Sequence, residues 1–274
     1  MSMTVRTNIA SMNASGHLNR TQKNLSSTLG RISSGLRITQ AADDAAGLGV
    51  ATSLETDVIS TKQAMRNAND GISIIQTAES ATNEVTDILQ RMRELAVQSA
   101  SETLANEERS YIQDEFVELR SEVARIASVT EFNGVQLTDG TTTSLDVQVG
   151  IDNNSSSRIT IQLGDLTATT LNLSSVTLQT VTGARGALDI IDTALASVNS
   201  TRSLFGAVQN RIDSAINNAQ IYTEALSAAE SQIRDADFAV ETSELTKLQI
   251  MQQAGVAALA QAKNVNQSVI SLLS

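Results

Sequence analysis

Residues 187–216 read ALDIIDTALASVNSTRSLFGAVQNRIDSAI and hold the pattern that decides the fold. Apolar residues recur there at alternating steps of three and four, and the spacing continues for about ten residues more. This spacing puts one apolar face along a helix much longer than a typical globular helix, as in a coiled-coil seam. Arg202, Gln209 and Thr223 are its polar exceptions. The other members are Leu188, Ile191, Leu195, Val198, Phe205, Ile212, Ile216, Ala219 and Leu226.

Similar patterns occur on both sides of this stretch. The spacing of apolar residues predicts helices from about 55 to 99, from about 106 to 128 and from about 238 to 273, and Asn106 is a plausible N-cap. A further seam near the start has apolar residues at steps of seven, four, three and four. Its members are Leu18, Leu25, Leu29, Ile32 and Leu36.

The character changes between about 131 and 182. Asn133-Gly134 and Asp139-Gly140 are turn dipeptides. Alternating apolar residues then predict a β-hairpin. They are Leu145, Val147 and Val149 on one strand and Ile159, Ile161 and Leu163 on the other.

Composition supports a helical fold. The 274 residues include no Pro, which would break helix interiors, and only 2% are aromatic, so Leu, Ile, Val and Ala must build the core. We expect a mainly α protein, a long antiparallel helical hairpin or coiled-coil bundle with a small β-hairpin region near the middle of the chain. Without Cys there is no disulfide and no thiolate site.

Charge distinguishes both ends from the middle. Residues 1–42 and 245–274 contain no Asp or Glu, whereas 43–244 hold all 30 acids with 12 basic residues, a net charge of −18. An overall net charge of −11 argues against nucleic acid as a partner. No apolar run approaches the ~18 residues that a membrane helix requires, so we expect no membrane insertion.

The last predicted helix is apolar on more than one face. Such a helix requires partners on several sides. We expect the two ends of the chain to pair with each other and then to pack against further copies, because the remaining apolar strip is typical of an assembly surface.

Four features resemble catalytic or ligand sites, and each has a structural interpretation that we favour. Asp43 and Asp44 are adjacent on a helix and so rarely converge on one substrate; a helix start or a salt bridge explains them better. Asp235 and Asp237 lack a third metal ligand and fit the start of the last helix. The remaining features are Gly47 with Gly49, which lack the strand context of a phosphate loop, and His17, the only histidine. We therefore expect no enzyme activity, no metal and no cofactor.

Several long motifs at both ends resemble the bacterial flagellins. They include LGRISSGLRITQAADDAAGLGVA (29–51), RNANDGISIIQTAESA (66–81) and IRDADFAVETSELTKLQIMQQAGVAALAQA (233–262). The similar regions cover about 1–138 and 187–274, and the segment between them shows no specific match.

The resemblance implies a structural subunit that self-assembles into the flagellar filament, secreted to the cell exterior; the alternative is a hook–filament junction protein. It implies an inner coiled-coil domain of 1–42 and 235–274, disordered in the monomer, and an outer helical domain of 43–234 that includes the β region. Expected subunit-interface residues are Leu25, Leu29, Ile32, Leu36, Leu248, Val256, Leu259, Val269 and Leu272.

The resemblance also implies partners. These are further copies of the chain, an export chaperone on the C-terminal segment, the filament cap and hook-associated proteins, and the flagellar type III export apparatus. Many similar proteins are bound by a flagellin-sensing Toll-like receptor. Carried over by motif, its candidate contacts are Leu89, Gln90, Arg91, Leu95 and Glu115.

Overall fold

The computed structural model describes residues 7–271, with side chains up to residue 264. Within that range the chain forms five α-helices and two antiparallel strand pairs, β1–β2 and β3–β4. The helices are α1 (Ile9–Ser34), α2 (Ala45–Ser99), α3 (Asn106–Val129), α4 (Val181–Arg234) and α5 (Phe238–Ser271). The strands are β1 (Glu131–Phe132), β2 (Val135–Gln136), β3 (Ser144–Gln148) and β4 (Arg158–Gln162).

The mainly α fold is confirmed, but two helices begin earlier than predicted. The start of α2 lies at Ala45 because the Asp44 carboxylate accepts a hydrogen bond from the Gly47 backbone N–H (2.8 Å), which caps the helix. The small residues that follow are tolerated inside the helix. Likewise α4 begins at Val181, where the Thr180 hydroxyl accepts a bond from the Gly183 N–H (3.1 Å).

The predicted N-cap at Asn106 is wrong. Asn106 is the first helical residue of α3, and Ala105 holds the cap position. Since alanine has no side-chain acceptor, the first turn is closed from the other direction. The Glu108 carboxylate accepts a hydrogen bond from the Ala105 backbone N–H (2.9 Å).

The chain divides into two compact units, Asp57–Glu224 and Met1–Thr56 with Ala225–Ser274. The resemblance had implied divisions after residues 42 and 234. Because α2 and α4 are continuous, each contributes residues to both units, and the divisions fall inside these helices.

Two hydrophobic clusters form the core of the unit Asp57–Glu224. In the first, α2, α3 and the start of α4 enclose Phe116, which is fully buried. In the second, β3 and β4 cover α2 and α4 around Phe205. These two aromatic residues therefore mark the centres of two packed layers.

The β-hairpin is confirmed with the predicted alternation. Leu145 lies opposite Ile161, and Val147 lies opposite Ile159. The hairpin approaches α2 closely at Gly71, where an added Cβ would lie 3.0 Å from a Val147 methyl group. The Asn133-Gly134 turn is also confirmed, since both residues have positive φ (50° and 79°) between β1 and β2.

A buried arginine closes the turn between α2 and α3. The Arg109 guanidinium donates to the carbonyl oxygens of Ser99 (3.0 Å), Leu104 (2.6 Å) and Ser101 (2.5 Å). These carbonyls lie at and beyond the end of α2, where no further helical turn supplies backbone N–H donors. Arg109 therefore supplies the donors that the end of the helix lacks.

The segment 35–44 joins α1 to α2 and is held by a carboxylate. Gly35 ends α1 with a positive φ of 73°. Beyond it, the Asp43 carboxylate accepts hydrogen bonds from the Thr39 N–H (3.1 Å), the Thr39 hydroxyl (3.0 Å) and the Gln40 N–H (3.2 Å). The bonds from Thr39 lower the pKa of Asp43 below its ordinary value.

Replacing Arg109 with Met tests the turn. The variant leaves three carbonyl groups without donors, so we expect the unit Asp57–Glu224 to lose about 2–5 kcal/mol of unfolding free energy. Urea unfolding followed by circular dichroism measures it. Arg125→Met is the matched control, because Arg125 is exposed and pairs only with Glu122 of its own helix; equal midpoints for both variants would contradict this role.

Asp43 gives a pH prediction. Because its pKa is lowered in the folded chain, its stabilisation of segment 35–44 is present above the ordinary aspartate pKa of about 3.9 and is lost as pH falls through the lowered value. Thr39→Val removes the hydroxyl donor, so we expect the Asp43 pKa to rise in an NMR titration. The control is Thr52→Val, because the Thr52 hydroxyl donates to the Leu48 carbonyl oxygen and does not contact Asp43. An unchanged Asp43 pKa in Thr39→Val would refute the assignment.

Candidate assembly surface

The helices α1 and α5 pair antiparallel within one unit. The Asn8 side chain donates to the Ala262 carbonyl oxygen (2.9 Å), and at the other end Arg31 Nη1 lies 3.5 Å from Glu241 Oε1. The Gln252 amide donates to Gln22 Oε1 (2.5 Å) between them. As the position in α1 rises, its partner in α5 falls by a similar amount, which confirms that the two ends of the chain pair.

The seam between these helices is only partly apolar. Leu25 and Leu248 lie in one layer and are 8% and 3% exposed. The layers beside it combine a large residue with a small or polar one. On α1 the inward residues are Ser11, Ala14, Leu18, Thr21, Leu25, Thr28 and Ile32, and on α5 they are Glu241, Leu245, Leu248, Gln252, Gly255, Leu259 and Ala262.

The predicted seam of α1 is therefore partly wrong. Thr28 is buried and takes the position that the sequence assigned to Leu29, which is 51% exposed. Thr21 also belongs to the seam, although its side chain is polar. The steps from Leu18 to Thr21 and from Leu25 to Thr28 are three residues, so the spacing alone contained this signal.

Large apolar side chains point away from the seam on both helices. Each is exposed over about one half or more of its surface, although helices of water-soluble proteins usually bury such residues. They are Ile9, Met12 and Leu29 on α1, and Phe238, Val240, Ile250, Met251 and Val256 on α5. We call this set the outer apolar face.

The predicted interface residues divide into four groups. Leu29 and Val256 belong to the outer apolar face, and Ile32, Leu36 and Leu259 are half-buried. Leu25 and Leu248 require a correction: they are buried inside the same chain and are not free to contact another copy. Val269 lies in α5, but its side chain is outside the described part, and Leu272 lies outside the described residues.

The candidate receptor residues also divide. Gln90, Arg91 and Glu115 are exposed, and the Arg91 guanidinium joins α2 to α3 by a 2.8 Å bond to Glu115. Leu89 and Leu95 are wrong as surface contacts, because both are buried in the core cluster around Phe116.

Residues that the sequence offered as catalytic or ligand candidates have structural roles. Asp44 and Asp237 cap helices, since each carboxylate accepts bonds from backbone N–H groups at the helix start. Gly47 fits closely against Asp44 and Ile38. Over residues 7–264, no cluster of three acidic or histidine side chains is arranged to hold a metal ion. No helix in the described range is long and apolar enough to cross a membrane.

Both ends of the chain match known family regions. Residues 5–143 match the bacterial flagellin N-terminal helical region, and residues 188–273 match the bacterial flagellin C-terminal helical region. These matches include α1, α2, α3 and α5 and most of α4. They leave out 144–187, which holds the β-hairpin.

Curated relatives match along their whole length. Flagellin of Halalkalibacterium halodurans is 41% identical over 99% of this chain and 100% of its own. The flagellar filament 33 kDa core protein of Treponema phagedenis is 38% identical, with the same shares of the two chains. The similarity therefore extends through the region between the two family matches.

Solved structures agree with the fold. Bacillus cereus flagellin matches 56% of this chain and 88% of its own at 30% identity, with a TM-score of 0.50. A putative flagellar hook-associated protein from Vibrio parahaemolyticus shares the fold over 70% of this chain and 100% of its own, with a TM-score of 0.60 but only 15% identity. From the two family regions and the full-length relatives, the chain belongs to the bacterial flagellin family.

Proposed function

We propose that this chain is a structural subunit of the bacterial flagellar filament and assembles helically with copies of itself outside the cell. The observation that carries the proposal is the outer apolar face on α1 and α5, which lies over a seam that is itself half polar. A surface of this kind is stabilised when another chain covers it. The flagellin relatives support the same function.

The energetics favour association over a separate α1–α5 pair. In the described part of the seam, Leu25 with Leu248 is the layer that buries a large apolar residue on both sides, so the pair on its own gains little from burial. Each Leu, Ile, Val or Phe of the outer apolar face gains roughly 1.5–3 kcal/mol if a neighbouring copy buries it fully. We therefore infer that contacts between subunits stabilise these two helices, which are weakly ordered in the free monomer and form an inner layer in the filament.

The middle of the chain has a different role in the proposal. Residues 43–244 carry a net charge of −18, and the acid-free ends contribute basic groups only. An acidic surface keeps proteins soluble. We propose that this region faces water in an outer layer of the filament while the ends pack inside.

The partners follow from the same proposal. A secreted subunit with an exposed apolar α5 requires an export chaperone on that segment and a type III export apparatus, and the filament ends require cap and hook-associated proteins. The Toll-like receptor contact is proposed for Gln90, Arg91 and Glu115, which are exposed on α2 and α3; a reporter-cell assay with monomer tests it. The comparisons reported above do not support the hook–filament junction alternative, since a likeness at 15% identity shows the fold alone.

Leu29→Ala separates assembly from folding. Leu29 is half-exposed in the single chain, so its truncation leaves the unfolding of Asp57–Glu224 unchanged. If neighbouring copies bury it fully, the loss of about 2–5 kcal/mol raises the critical concentration for polymerisation at least ten-fold. Pelleting after seeding, with negative-stain electron microscopy of the pellet, measures this.

The control for this variant is Leu204→Ala, at a residue equally exposed but in the other unit. We expect Leu204→Ala to change the critical concentration less than Leu29→Ala does. Wild-type protein that stays monomeric with seeds and precipitant salt would contradict the filament function itself.

Limited proteolysis tests the weak order of the free ends. Because Met1–Thr56 and Ala225–Ser274 have few buried apolar residues, we expect a protease to remove them from the monomer and to leave a fragment close to Asp57–Glu224. In filaments the same ends should be protected. Mass spectrometry of the fragments reports both results, and ends that resist cleavage in the monomer would count against coupled ordering.

A further inference from the structure

The seam of α1 repeats itself every seven residues. Leu18 is followed by Thr21, Leu25 is followed by Thr28, and Ile32 begins the next repeat. Leu18 lies against Gly255, and continuing the antiparallel alignment places Thr21 opposite Gln252 and Leu25 opposite Leu248. Because residues seven apart in α1 are alike, either of two such residues could lie opposite the same residue of α5.

A displacement by one repeat would keep the type of the three central layers. Ile32 would replace Leu25 opposite Leu248, and Thr28 would replace Thr21 opposite Gln252. Leu25 would then replace Leu18 opposite Gly255. Such a slip moves one helix by about 10.5 Å, at 1.5 Å per residue. The seam alone therefore discriminates poorly between the two alignments.

The connection to α2 does not prevent the slip either. The segment 35–44 is long enough, when extended, to span about 33 Å. A displacement of one repeat is a third of that length. Something other than the seam and the chain connection must therefore fix the alignment.

A set of contacts at one end of the pair depends on the alignment. Leu36 and Asp235 form an antiparallel bridge, in which the Arg37 N–H donates to the Arg234 carbonyl (2.7 Å) and the Ala236 N–H donates to the Gly35 carbonyl (2.9 Å). We call this bridge, with the side chains of Arg31 and Arg37, the terminal clasp.

The two arginine side chains add to the bridge. Arg37 Nη2 donates to the Ile233 carbonyl oxygen. Arg31 lies between two carboxylates, with Nη1 3.5 Å from Glu241 Oε1 and Nη2 4.0 Å from Asp43 Oδ1. Both carboxylates are largely shielded from water, which strengthens the attraction.

A slip of seven residues would break all of these contacts. Arg31 would move from Glu241 toward Leu248, and Leu36 would no longer reach Asp235. We propose that the terminal clasp sets the register of α1 on α5, and so decides which residues of the outer apolar face lie side by side. The register is set by contacts inside one chain. Only its consequence for assembly, through the outer apolar face, rests on the proposed function.

Cysteine cross-linking tests the register directly, because the chain has no cysteine of its own. Thr21→Cys with Gln252→Cys reports the native alignment, and Thr28→Cys with Gln252→Cys reports the slipped one. A disulfide requires Cα atoms about 4.4–6.8 Å apart, so each alignment oxidises only its own pair. Peptide mass spectrometry separates links within a chain from links between chains.

Each cysteine pair is placed in four backgrounds of the full chain. They are the native clasp, two clasp variants, and the control Arg20→Gln with Lys23→Gln, which removes two positive charges from exposed positions of α1 outside the clasp. The first clasp variant, Arg31→Gln with Arg37→Gln, removes the same charge from the clasp. Ala236→Pro, which removes one N–H donor of the bridge and keeps both arginines, is the second clasp variant.

We expect the native pair to dominate with the native clasp and in the control. In the clasp variants the ratio of slipped to native links should rise about five-fold or more. Links are measured in polymerised protein and in monomer. The same ratio in every background, in both samples, would overturn the register inference. Wild-type protein that does not polymerise but keeps a clasp-dependent ratio in the monomer would contradict the filament function and leave the register inference standing.

Discussion

The antiparallel contact between α1 and α5 is the interaction on which the assembly surface depends. It joins the two ends of the chain and places the outer apolar face on one unit. The contact is weak for its length, because every layer except that of Leu25 and Leu248 includes a small or polar residue. Ordinary coiled coils fill such positions with apolar residues. Several large apolar side chains of α1 and α5 are meanwhile exposed in the single chain.

The other unit has a larger core of its own. In Asp57–Glu224 two clusters of large apolar residues are buried, although Ile59 and Leu204 are exposed. Buried polar groups near the first cluster have partners: Gln113 accepts from the Leu178 N–H, and Ser99 donates to the Leu178 carbonyl. Hydrogen bonds to buried polar groups stabilise a unit that folds without another chain. One chain thus combines a self-sufficient unit with a unit that is incomplete until it associates, which is what a polymerising subunit requires.

Periodicity was sufficient to predict most of the helices and the alternation of the β-hairpin, and the charge distribution with the apolar faces of the last helix indicated the pairing of the ends. It failed where a polar residue takes a core position, as Thr28 does in place of Leu29, because hydrophobicity was the only signal used. The cap at Ala105 was missed because Glu108, and not the cap residue, supplies the acceptor. Arg109 and Arg31 were missed because their partners are backbone carbonyls or carboxylates distant in sequence, and no local pattern encodes them. Leu89 and Leu95 were placed at a surface by motif, although their apolar spacing already favoured burial.

The distance along the chain between the two paired helices has a kinetic consequence. Asn8 bonds to Ala262 across 254 residues. Closing a flexible loop of that length costs roughly 5 kcal/mol in chain entropy, whereas closing one of about ten residues costs roughly 2 kcal/mol. If Asp57–Glu224 folds first, the segment 35–44 is the main flexible length left to close. The order of folding is then set from the middle outward, and α1, although synthesised first, is among the last helices to find its place.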